Sequence, residues 1–187
     1  MLRAGRLFFF RCPERPAGAI LRDAIVAKII QLEPDVAVAP QLVEADFGEI
    51  ATRGFRSVVN IRPDGEAPDQ LPQAQAAAAA RRHGLTYRYL PVKNLNATDD
   101  HIVGGFARLM DELPGPILFY CGTSTRCTVL WTQAAASRLG VDAVLSIARK
   151  AGYDFAFLRD TLAERSGWLG AVAASPSPST LSTTAGG

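Results

Sequence analysis

Residues 117–120 (Ile117, Leu118, Phe119, Tyr120) form a wholly apolar run that Pro114-Gly115-Pro116 releases and Cys121 ends. A run of this length without polar alternation has no solvent face. It reads as a strand buried on both sides, as in parallel sheets covered by helices. The small residues Gly122, Thr123, Ser124 and Thr125 then lead to Arg126, and residues 127–139 carry apolar side chains at helical spacing up to Gly140.

The rest of the chain repeats this alternation. Residues 36–39 read as a strand, followed by Pro40 and a helical segment over 43–52 closed by Gly54. A β-branched run over 56–61 stops at Pro63 and the polar turn Asp64-Gly65-Glu66, as a buried parallel strand would. Residues 70–83 are dominated by alanine and end at Gly84, which predicts a helix with a C-terminal glycine. Residues 86–92 alternate like a strand. Thr98-Asp99-Asp100 then offers a hydroxyl and two carboxylates to the start of a helix running to about 113. Helices are expected over 141–150 and 153–165. Strands alternating with helices predict an α/β fold with a parallel sheet covered on both faces.

Composition bounds what such a domain can do. The chain has 187 residues, 48% hydrophobic and 20% charged, which suits one globular domain. Its 20 basic and 18 acidic residues leave a net charge of +2, no footprint for nucleic acid or an anionic membrane. Three cysteines (Cys12, Cys121, Cys127) cannot build a disulfide framework, and two histidines (His83, His101) give no metal-site spacing, so neither metal nor cofactor is expected. A reducing, cytoplasmic setting and a chemical role for a thiol follow. The apolar run at residues 7–10, among arginines, is too short for a secretory core and is interrupted by Arg11. The Ser/Thr/Pro/Gly-rich residues 175–187 lack the apolar content to fold and are expected to form a tail.

The chemistry concentrates on Cys121. A strand end, a loop of small residues and a helix start aim main-chain N–H groups at whatever sits on the sulfur. That field favours thiolate over thiol and makes Cys121 a nucleophile near neutral pH. Arg126, five positions later, can return its fork to the loop and hold two oxygens of an anion. The loop Gly122, Thr123, Ser124, Thr125 and Arg126 is therefore a candidate anion cradle. Asp64, Asp99 and Asp100 are candidate proton donors, although a turn explains the first and a helix start the other two. Cys127 could resolve an oxidised Cys121 or accept sulfur from it, but a small core-facing residue is the simpler reading. His101 is expected to be a half-exposed helical residue, and Tyr153 and Trp131 to pack.

The segments FRSVVNIRPDGE, GLTYRYLPV, GPILFYCGTSTRC and AGYD, in this order, resemble the phosphatase-like domain of the beta-lactamase hydrolase-like proteins, also described as a family of sulfur transferases. More distantly, the strand, helix, strand and cysteine loop resemble dual-specificity protein phosphatases. The resemblance covers about 33–162. It implies a protein-tyrosine-phosphatase-like, four- or five-stranded parallel sheet, with Cys121 as thiolate nucleophile and Arg126 as oxyanion binder. The domains expected are a loosely packed or disordered extension over 1–32, the phosphatase-like domain over 33–165, and a disordered tail over 166–187.

The loop departs from the family pattern, which usually reads C-R-S-G-T-R-S where this chain reads C-G-T-S-T-R-C. A positive φ at Ser124 would be strained unless Gly122 takes it over. Cys127 replaces the serine or threonine that usually hydrogen-bonds the sulfur, and a thiol is a poorer donor. Protein tyrosine phosphatases place histidine before the cysteine and five residues before the arginine. Here Tyr120 precedes it and four residues intervene. The shorter loop resembles that of rhodanese-type sulfurtransferases, so loop length points to sulfur and the block order to a phosphatase-like fold. Where dual-specificity phosphatases carry their aspartate, this chain has Lys93 and Asn94. The expected function is a phosphatase-like hydrolase, with a sulfurtransferase using a Cys121 persulfide as one alternative and an inactive anion-binding module as another. The substrate would be a small phosphate, sulfate or sulfane-sulfur compound. A persulfide-processing protein is the partner that the family resemblance suggests.

Overall fold

A computed structural model describes residues 27–93 and 97–173. The elements, in chain order, are β1 (Ile30–Glu33), β2 (Val36–Ala39), α1 (Asp46–Thr52), β3 (Ser57–Asn60), α2 (Gln73–Arg82), β4 (Thr86–Tyr89), α3 (Asp100–Glu112), β5 (Ile117–Tyr120), α4 (Thr125–Leu139), α5 (Val141–Lys150) and α6 (Arg159–Ala173), the last preceded by a 3-10 turn (Ala156–Leu158). Cys12, the arginine-flanked apolar run, Asn94 and residues 175–187 lie outside the described residues. No helix among the described residues is long and apolar enough to cross a membrane.

The five strands lie in the order β1-β2-β5-β3-β4. β2, β5, β3 and β4 run parallel, and β1 pairs antiparallel with β2. An all-parallel sheet is therefore corrected at this edge. Only Pro34 and Asp35 separate β1 from β2, and a parallel pairing needs a crossover of a dozen or more residues. The domain limits also move. β1 draws residues 30–32 into the sheet, with Ile30 opposite Val38 and Leu32 buried. At the other end α6 runs on to Ala173, past the limit expected at 165. Its docking on α4, with Leu162 fully buried, nucleates the helix, and each further residue then adds a hydrogen bond at little cost.

Both faces of the sheet are covered, as its apolar strands require. Leu118 and Tyr120 pack with Ala37, Ala39, Phe47, Ile50 and Ala76 on the α1/α2 side. Ile117, Phe119 and Cys121 join Val38, Val59, Phe106, Leu130 and Trp131 on the α3/α4 side. Because β5 lies between β2 and β3, the residues just past these three strands gather at the carboxyl edge of the sheet. Parallel α/β sheets place their ligands at this edge. Gln41, Arg62 and Cys121 occupy it.

Candidate active site

Cys121 continues the inward side of β5 and is 1% exposed. Its N–H donates to Ala39 O at 3.3 Å, Gln41 N–H donates to Gly122 O at 3.2 Å, and Pro40 bridges Thr123, so the loop is stitched to the extension of β2. On the other side Ile61 N–H donates to Tyr120 O at 2.9 Å. The loop is thus anchored by both neighbouring strands before α4 begins.

The surroundings of the sulfur favour its charged form: the neighbouring Cys127 thiol most, then, against the opposing effect of burial, the main-chain N–H groups of Cys127 and Thr123 and the Arg126 charge. The net effect lowers Cys121 to about 6. Burial, reinforced by the adjacent Cys121, drives Cys127 well above the ordinary thiol range. The two shifts run in opposite directions, so Cys121 is the one of the pair that ionises more readily. Substituting a thiol for a hydroxyl at position 127 weakens the donor without removing it. α4 has no acidic residue in its first turn and no side-chain cap, which leaves its positive end to the sulfur and to any bound anion.

Ser124, not Gly122, takes the left-handed conformation, with φ of 64°, and it is the one non-glycine residue to do so among the described residues. Such a conformation costs about 1–2 kcal/mol outside glycine. Its surroundings hold it there. Ser124 Oγ bonds Thr123 O and shares a 2.6 Å hydrogen bond with the Tyr153 hydroxyl, which also reaches Thr123 O at 3.2 Å. Ser124 O accepts from both Thr128 N and Thr128 Oγ1 at 3.0 Å. Tyr153, expected only to pack, is therefore a staple on the loop. Trp131 does pack, fully buried, and donates Nε1–H to Glu33 at 2.7 Å.

Arg126 is folded back over the site and its side chain is 10% exposed. Nη1 donates to Glu66 Oε1 at 2.9 Å and to Val92 O at 2.6 Å, and Nη2 donates to Glu66 Oε2 at 2.7 Å. A guanidinium has five N–H donors. Three are taken among the described residues, so Nε–H and one Nη2–H are left for an anion. Glu66 also accepts from Arg62 Nε at 3.0 Å, while Arg62 Nη1 donates to Gln41 Oε1 at 2.8 Å. Hydrogen bonding from Arg126, with a smaller share from Arg62, outweighs burial and holds Glu66 below the usual carboxylate range. Glu66 is thus an ionised clamp for both guanidinium groups and is poorly suited to donate a proton. A Cβ at Gly122 would meet the Arg62 guanidinium carbon at 3.7 Å, an ordinary contact, so the arrangement does not depend on glycine there.

The carboxylates named as candidate proton donors have other partners. Asp64 Oδ1 accepts from Gln73 N at 2.9 Å at the start of α2. Asp99 caps α3 by accepting from His101 N at 2.9 Å and Ile102 N at 3.2 Å. Asp100 pairs with Arg165, which also donates to Thr98 O at 2.9 Å. Among the described residues, no hydrogen bond joins any of the three to the cysteine loop. His101 is exposed on α3, and Lys93 is exposed beside Val92.

Above the loop opens a cavity of about 560 Å³. Arg62, Thr98, Gly122, Thr123, Thr125 and Arg126 supply its polar lining, and Ala97, Val129, Phe157 and Leu158 its apolar lining. Cys121 itself is buried and is not among the lining residues. The sequence did not single out Arg62, Glu66 or Gln41 as site residues. The usable signal was their position, Gln41 and Arg62 just past strands that could flank β5, and Glu66 four residues beyond Arg62.

Known proteins share the sequence pattern and the fold of this chain. Residues 28–138 match the family model "Beta-lactamase hydrolase-like protein, phosphatase-like domain". The beta-lactamase hydrolase-like protein of Xylella fastidiosa (strain Temecula1) is 33% identical over 129 residues, 68% of this chain. The chain spans only 30% of the length of that relative. A candidate phosphatase from Neisseria meningitidis Z2491 is 31% identical, with a TM-score of 0.65 over 73% of this chain and 97% of its own. Tk-PTP, 18% identical, matches the fold with a TM-score of 0.60 over 76% of this chain and 97% of its own. Tyr153 and Phe157 lie beyond the residues that match the family model.

Proposed function

The chain belongs to the family of the phosphatase-like domain of beta-lactamase hydrolase-like proteins, and on that premise we propose that it is a phosphatase-like hydrolase with Cys121 as its nucleophile. The observation that carries this reading is the seat of the sulfur: a buried cysteine between the carboxyl end of β5 and the uncapped N-terminus of α4, beside an arginine with two N–H groups to offer. The Cys121 thiolate attacks phosphorus, an S–P bond forms, and the ester P–O bond breaks with its electron pair leaving on oxygen. Loop amides and Arg126 hold the remaining oxygens, and water then releases phosphate from the cysteine.

No described carboxylic acid is placed to protonate the departing oxygen, because Asp64, Asp99 and Asp100 are engaged elsewhere and Glu66 is clamped as a carboxylate. The substrates are therefore esters whose leaving group departs unprotonated. General acid catalysis is worth about 10²–10⁴-fold and matters most for the more basic leaving group, so kcat/KM for para-nitrophenyl phosphate should exceed that for phenyl phosphate by about 100-fold or more. Steady-state kinetics with the two esters checks this, and equal rates would mean that a proton donor serves the site.

The same shortage favours a second reading, transfer of sulfane sulfur. Attack of the Cys121 thiolate on the outer sulfur of thiosulfate forms one S–S bond and breaks another, and sulfite leaves with the electron pair without needing a proton. The short loop supports it too. The sulfur would pass to a nucleophilic acceptor, and a persulfide-processing protein in a reducing cytoplasm is the fitting partner. Intact mass after thiosulfate treatment, then thiocyanate formation with cyanide, separates this reading from ester hydrolysis.

A further inference from the structure

We propose that the cavity above the cysteine loop binds an aromatic body attached to the substrate's anionic group, with Phe157 as the specificity-determining residue. This rests on the reading of the loop as an anion site. The cavity lined by Gly122, Thr123, Thr125 and Arg126 of the loop is also lined by Ala97, Thr98, Val129, Phe157 and Leu158, none of them charged, so a substituent on an anion held at the loop meets these uncharged side chains. The volume, about 560 Å³, accommodates an anionic group and a ring.

Phe157 is 76% exposed, a large apolar side chain left in water that also lines this cavity. It is also held in place. Its ring stands edge-on to Phe155, with centroids 6.2 Å apart and planes at 89°. Phe155 stacks on Tyr153 at 5.7 Å, and Tyr153 bonds the loop at Ser124 and Thr123. The ring is thus carried on an aromatic ladder rooted in the anion cradle, so its distance from a bound anion is fixed before binding. A second ring seated against it would remove apolar surface from water on both partners and gain an aromatic pairing. An aliphatic group of one carbon could reach neither.

The test uses the full chain carrying Cys121→Ser, so that binding is read without turnover, and titrates phenylphosphonate, methylphosphonate and inorganic phosphate by calorimetry. Phenylphosphonate is expected to bind roughly tenfold more tightly than methylphosphonate. Adding Phe157→Ala should bring that ratio close to one. Equal affinities before the second substitution would overturn the proposal. So would a ratio that survives it, including a case in which both phosphonates weaken alike, as a merely structural role would produce. If none of the three anions binds, the anion cradle itself is wrong and the proposal falls with it.

Discussion

Cys121→Ser is expected to abolish turnover of para-nitrophenyl phosphate, with kcat falling by roughly 10⁴-fold or more. Serine is nearly the same size, so the buried site beneath the loop should accept it with little change in packing. What it loses is ionisation. The field that brings the thiol down to about 6 comes from the Cys127 thiol, together with the Cys127 and Thr123 main-chain N–H groups and the Arg126 charge, which outweigh burial. A hydroxyl starts several pH units higher and stays protonated under the same field. The measurement pairs kcat with a circular-dichroism melt, and turnover within about tenfold of the parent chain would place the nucleophile elsewhere.

Arg126→Ala should cost roughly 10²–10³-fold in kcat, the loss typical of removing a preorganised donor from a developing oxyanion. The two N–H groups that remain after Glu66 and Val92 are served disappear together. Arg126→Lys keeps the charge but not the fork, so it should recover only part of the loss. Glu66 keeps Arg62 as a partner in either variant, at 3.0 Å, and being partly exposed it can take up water. The effect should therefore fall on catalysis more than on stability. Kinetics for the two variants, together with their melting temperatures, check this, and a loss below about fivefold for Arg126→Ala would remove Arg126 from the transition state.

Parts of this architecture were legible in the sequence for physical reasons. Val36–Ala39 and Ile117–Tyr120 formed strands where they were read, because an apolar run with two buried faces has few other places to go. Helix ends at Gly54, Gly84 and Gly140 followed from the positive φ that each adopts. Asp99 capped α3 because a short carboxylate ahead of a helix has orphan N–H groups within reach. β1 was missed. Its four residues carry Gln31 and Glu33 and show no strong pattern, and only pairing with β2 defines them.

The cysteine loop was legible as local chemistry, and its supports were not. Whether Ser124 or Gly122 would bear the positive φ depended on a tyrosine 29 residues downstream, which no local rule supplies. Arg62, Glu66 and Gln41 read as turn and loop residues. Their meeting depends on β5 lying between β2 and β3, and chain order alone does not state that. The strand order that assembled this clamp also left the three aspartates occupied at helix starts and an ion pair.

The claim on which all of this depends is that the Cys121 sulfur is already charged before substrate arrives. Alkylation by iodoacetamide, followed by peptide mass for Cys121 across a pH series, measures it directly. Because the thiol is lowered, the charged form persists as pH falls until about 6. The rate constant should be level above neutrality and decline through a midpoint near 6, with Cys127 unmodified throughout. A rate that keeps climbing to a midpoint near the ordinary thiol value of about 8.5 would contradict the account.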